Sequence, residues 1–158
     1  MRRIPERVHR FLALNREERR LFLEAWLRLG LMRAAIRIGS LKRLTTSLDQ
    51  HAARSDPLPP LPPAKRRLAV QISRAVIRAA AHTPWESACL AQALAAQRML
   101  RRRNIPGALY LGIIKGDATR PMRAHAWVRC GDLFITGAEG HRAFTVLSVF
   151  SWNGELHS

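Results

Sequence analysis

Cys89 stands near the start of a helical stretch, and 36 residues later His125 sits within Arg123-Ala124-His125-Ala126-Trp127-Val128. A thiol close to a helix N-terminus is biased toward thiolate by the unpaired N–H groups and the helix dipole. A histidine brought beside it from a strand would complete the nucleophile–base pair of a cysteine hydrolase or acyltransferase. The imidazole in such a pair needs a third group to fix its tautomer. Cys130, the second of only 2 cysteines, reads as a core residue. Two cysteines are too few for a disulfide scaffold, and no Cys/His cluster has metal-finger spacing. No metal or cofactor is therefore expected, and a reducing cytoplasm is the simpler location.

The elements around these residues follow from local pattern. Thr83-Pro84-Trp85-Glu86 reads as a helix start with Thr83 as N-cap, Pro84 at the first helical position and Glu86 at the third. Ser87 is an alternative cap, which would place Cys89 in the first turn; both starts stay open. The helix extends through Arg103 and stops before Asn104-Ile105-Pro106-Gly107. Trp85, Ala93, Ala96 and Leu100 share the stripe of Cys89. The hydrophobic period then falls to two, predicting strands over 108–114, 123–130 and 133–136, with a tight turn at Gly131-Asp132. Residues 144–150 read as a further strand or an apolar terminal segment. On the second strand Ala124, Ala126, Val128 and Cys130 share one face, and Arg123, His125, Trp127 and Arg129 the other. Trp85 and Trp127 are candidates for lining a cleft, although an aromatic in a strand also serves as packing. The fold class expected is α+β: N-terminal helices, then a Cys-bearing helix packed on an antiparallel β-meander.

Ahead of that core, residues 1–56 form an amphipathic helical region and 57–63 a proline-rich linker, leaving 64–158 as the core. Asn15 and Glu18 resemble a capping box, and Phe22, Ala25, Trp26, Leu29, Met32 and Ile36 recur at helical spacing. Gly39-Ser40 ends that helix. Pro57-Leu58-Pro59-Pro60-Leu61-Pro62-Pro63 excludes helix and central strand, because proline lacks the donor N–H. Residues 64–81 read as another helix. The apolar run 21–39 is broken by Glu24, Arg28, Arg33 and Arg37, so membrane association is not expected.

Lys and Arg total 27 against 11 Asp and Glu, a formal charge of +16. Such a surface attracts anionic partners. One reading is a nucleic-acid-binding protein, yet no RNA-recognition, KH or zinc-finger signature is present and aromatics for base stacking are scarce. The preferred reading excludes nucleic acid and makes Arg28, Arg33 and Arg37, joined by Arg101-Arg102-Arg103, a docking surface for an acidic protein partner. The same arginines also suit an ordinary solvated helix face.

Residues 89–106 (CLAQALAAQRMLRRRNIP), Leu111-Gly112-Ile113 and Ala124-His125-Ala126-Trp127-Val128 together resemble the transglutaminase-like leader peptidases of lasso-peptide biosynthesis. The resemblance covers about residues 83–150, and the Arg-rich helices with a proline linker resemble the start of the stand-alone form. It implies a papain-like core and a cysteine protease that removes the leader from a ribosomally made precursor peptide. Leader recognition would lie with a separate small protein, and an ATP-dependent cyclase would close the macrolactam. Cys89 would be the nucleophile and His125 the base, later the acid that protonates the leaving amine. Family members commonly carry Asp 12 residues after the histidine, and here that position is Gly137. Glu139 is the chosen third member, with the Thr136 hydroxyl, or a dyad whose ring is held by a carbonyl, as alternatives. The Cys89 N–H would be one oxyanion donor. The departure at Gly137 also leaves room for a non-catalytic adaptor with the same fold.

Overall fold

The computed structural model describes residues 6–39, 41–45, 49–52, 58–84 and 88–153. The capping box forms as the spacing predicts: Asn15 Oδ1 accepts from the Glu18 N–H at 2.9 Å, and the Glu18 carboxylate accepts from the Asn15 N–H at 3.1 Å. It opens α2 (Arg16–Ile38), which follows the short α1 (Glu6–Leu12) and precedes a further short helix, α3 (Leu41–Thr45). Leu21, Ala25, Leu29 and Met32 are the buried stripe of α2. The next helix, α4 (Pro63–Ala80), starts with proline at its N-terminus, where the missing N–H costs nothing. It buries Ala69, Ile72, Ala75, Val76 and Ala79.

At the centre is α5 (Cys89–Arg101), with Ala91, Ala93, Leu94, Ala95, Ala96, Met99 and Leu100 all buried. A helix apolar on nearly every side has no solvent face, and this one packs against α2, α4 and the sheet together. Its alanines let neighbours approach closely, which explains how so few aromatics suffice for the core.

The strands are β1 (Asp49–Ala52), β2 (Gly107–Ile114), β3 (Arg123–Cys130), β4 (Leu133–Thr136) and β5 (Thr145–Trp152). They form one antiparallel sheet in the order β1-β5-β2-β3-β4. The expected meander is β2-β3-β4, turning at Gly131, whose φ of 58° suits glycine in that tight hairpin. After β4 the chain returns to place β5 beside β2, which is Greek-key order. The residues at 144–150 thus join a strand. β1 was not anticipated; it pairs Asp49 with Ser151 and Ala52 with Ser148 at the outer edge.

The boundary drawn at residue 56 does not separate two cores. Leu21, Ala25, Leu29 and Met32 of α2 belong to the same cluster as Leu94, Leu100, Val128 and Ile135. Glu24 adds a polar tie, accepting from Arg28 at 3.0 Å and from Arg103, just past α5, at 2.6 Å. Burial alone would raise the Glu24 carboxyl, but the Arg103 and Arg28 hydrogen bonds outweigh it and hold the group below its ordinary range.

Candidate active site

Cys89 is the first residue of α5. Ala88 occupies the cap position without a side-chain cap, and the first helical bond runs from Gln92 N–H to Ala88 O at 3.1 Å. The amides of the first turn therefore lack intrahelical acceptors, the Cys89 N–H among them. Thr83 does not open this helix. Thr83 instead donates from its hydroxyl to Ala80 O at 3.0 Å and so closes the end of α4. Trp85 and Ser87, named above as a cleft residue and an alternative cap, lie outside the described residues.

The thiol is half-buried against the helix-side core. Cys130 differs sharply. It is fully buried on β3, where desolvation pushes its thiol up to about 12, so it stays protonated and inert at neutral pH.

The short turn from α5 into β2 makes that helix run back over the sheet. At its C-terminal end the Trp152 indole donates to Ile105 O at 2.8 Å, pinning the corner where β2 begins and β5 ends. His125, near the start of β3, and Gly137, just past β4, lie at the opposite end of the strands.

His125 is tightly specified. Its Nε2 lies 2.8 Å from the Gly137 carbonyl oxygen. A carbonyl only accepts, so Nε2 carries the proton and Nδ1 of the neutral ring is left as the acceptor. The ring stacks on Trp127 at 5.7 Å and tilts against Phe144 at 5.0 Å. The structure thus brings His125 together with residue 137, and it is the backbone there that holds the ring. Glu139, the sequence-based choice for this role, is solvent-exposed two residues further on. The Thr136 hydroxyl is buried without a hydrogen-bond partner, so it does not hold the ring either.

Among the described residues no hydrogen bond joins Cys89 and His125. Ala126 and Val128 face the helices, whereas His125 and Trp127 point to the other side of the sheet. Trp127 is 3% exposed and stacks on Tyr110 with ring centroids 5.6 Å apart. It is a core residue of that second face rather than an open cleft wall. His141 flanks Trp127 from the other side at 5.8 Å, its Nδ1 held by Ala138 O. The sequence reading passed over His141 because nothing in its spacing marks it.

Among the proposed partner residues, Arg28 is engaged by Glu24 within α2, and Arg103 by the same carboxylate, which ties the end of α5 to α2. Arg33 and Arg37 line a shallow groove with Gly30 and Ala34. A larger cavity of about 660 Å³, lined by Phe11, Leu14, Phe22, Arg78 and His82 among others, contains neither Cys89 nor His125. Among the described residues no three His, Cys, Asp or Glu gather as a metal site. No helix there is long and apolar enough to cross a membrane.

The chain belongs to the transglutaminase-like superfamily, whose core model matches residues 29–149. That domain is typically a cysteine protease fold. The matched span includes Cys89, His125 and Gly137, and it begins inside α2, across the boundary drawn at residue 56. No curated protein and no solved structure matches the chain.

Proposed function

We propose that this chain is a cysteine peptidase that removes the leader from a ribosomally made lasso-peptide precursor. The observation that carries the proposal is Cys89 at the first position of the central helix in a transglutaminase-like chain. His125 Nδ1 takes the thiol proton, and the thiolate attacks the scissile carbonyl. The Cys89 N–H faces the oxyanion as one donor. His125 then protonates the leaving amine, and water, deprotonated by the same ring, hydrolyses the thioester. These steps require Sγ and Nδ1 to lie within hydrogen-bond reach with peptide bound, an arrangement that differs from the unliganded one. A separate leader-recognition protein presents the precursor, and an ATP-dependent cyclase closes the macrolactam. Arg33 and Arg37 offer that partner a basic surface, with charge speeding encounter more than adding affinity.

A second reading, a non-catalytic adaptor, is favoured by His125 facing Trp127 and Phe144 instead of Cys89. Mass spectrometry of precursor mixed with the recognition protein and this chain separates the two. The peptidase releases leader and Cys89→Ala does not. Undiminished release by Cys89→Ala, or tight precursor binding with no release by the natural chain, would overturn the peptidase.

A further inference from the structure

Resting on that reading, we infer that the Gly137 carbonyl is the positioning group for His125, and that residue 137 must be glycine to serve. Two observations converge on it. The first is the bond itself, Nε2 to Gly137 O at 2.8 Å, which leaves Nδ1 as the base. The second is the backbone that aims the carbonyl. Gly137 has a φ of 69°, in the left-handed region. A Cβ there would lie 2.5 Å from Ala126 O and 2.8 Å from the Trp127 Cβ, on the strand that carries His125.

Backbone cannot move aside cheaply at such distances, since Ala126 is bonded into β3 between His125 and Trp127. An acid at position 137 would therefore not simply restore a carboxylate. It would push β3 and β4 apart and dislodge the ring it was meant to hold. The register already slips between Val128 and Arg129 on the β3–β4 ladder, which brings Thr136 opposite Val128 just before Gly137. The absence of an acid is thus coupled to a backbone built to present a carbonyl.

A carbonyl fixes the tautomer and the ring plane as a carboxylate does. It carries no full charge, so it stabilises the imidazolium less. His125 is therefore oriented by a neutral acceptor.

The test is ¹⁵N-histidine NMR of the full chain, with leader release measured in parallel. At pH where the ring is neutral, His125 should be the Nε2–H tautomer with a slowly exchanging proton. An Nδ1–H tautomer, or an unbiased mixture, would overturn the inference. Gly137→Ala should lose that signature and lower kcat at least tenfold with little change in KM. Gly137→Asp should do no better than Gly137→Ala. Wild-type kcat in Gly137→Ala, or a gain in Gly137→Asp, would also overturn it. If neither variant folds, the tautomer in the natural chain still decides. An Nε2–H tautomer without leader release sinks the peptidase and leaves the positioning intact.

Discussion

On the face that α4 and α5 cover, β3 contributes Ala126, Val128 and Cys130, packed among leucines and alanines. On the other face the same strand contributes His125, Trp127 and Arg129, which meet Tyr110, Phe134, His141 and Phe144. The helix side is held by close aliphatic contact and has little polar business. The ring side is a stack of flat groups with cations laid over it, the Arg129 guanidinium 4.9 Å from the Phe134 ring and Arg123 over Phe144. Burial pushes the Tyr110 hydroxyl up, with Arg129 working against it. One strand thus divides its side chains by alternation: odd positions enter the ring stack and even positions the helix-side core.

Neighbouring substitutions on that strand should separate the two faces. His125→Ala should reduce single-turnover leader release by about 10²–10⁴-fold, the usual range for a general base. It should change the urea midpoint little. Val128→Ala should do the reverse, costing about 1–3 kcal/mol of stability while the folded fraction keeps its rate. A rate loss in Val128→Ala equal to that of His125→Ala would erase the distinction between faces.

Trp127→Ala should fail on both counts. Removing a buried Trp costs about 3–5 kcal/mol, and here it also takes away the surface on which His125 stacks. Leu94→Ala on the helix side should cost about 2–5 kcal/mol with kcat preserved at temperatures where the variant is folded.

The Glu24 tie adds a pH-dependent component to the helix side. Its folded pKa is depressed, so its contribution is present above the unfolded value of about 4.3 and is lost as pH falls through the folded one. Glu24→Gln should cost about 1–2 kcal/mol at pH 7, between an exposed pair and a fully buried one. Urea melts of the two proteins should converge in acid; a constant gap down to strong acid would contradict the ion-pair account.

The smallest effects separate bystanders from participants. Cys130→Ala should cost about 1 kcal/mol and no activity. Glu139→Gln should change kcat by less than about twofold, because Nε2 is already bonded to Gly137 and an exposed charge adds little. A tenfold loss in Glu139→Gln would return Glu139 to the site.

How far the sequence could be read depended on whether the signal was local. The strands 123–130 and 133–136 were legible to the residue, because alternation and the Gly131-Asp132 turn are both local. β1 was not, since Asp49-Gln50-His51-Ala52 carries no apolar period and becomes a strand only by pairing with β5. Thr83-Pro84 has the composition of a helix start, yet the Thr83 hydroxyl is used by the helix behind it. Cys89 and His125 stood out by residue type. The ring's partner could not be found that way, because a backbone carbonyl leaves no mark in the sequence. Alternation did put His125 and Trp127 together opposite Ala126 and Val128. That face read as a polar cleft because its other rings arrive from β2, β4 and the 141–144 segment.

The position of β5 has a consequence for how the chain is made. The most C-terminal of the described strands lies between β1 and β2, pairing residue 49 with residue 151. Until it emerges, β2 lacks a neighbour on one side and β1 has none at all. Helices α2, α4 and α5 can collapse early, but the sheet beneath them closes only once β5 is made, through contacts of very long sequence separation. The nascent chain must therefore wait with apolar surface and strand edges uncovered. The formal charge of +16, spread along its whole length, supplies the mutual repulsion that keeps such waiting chains apart.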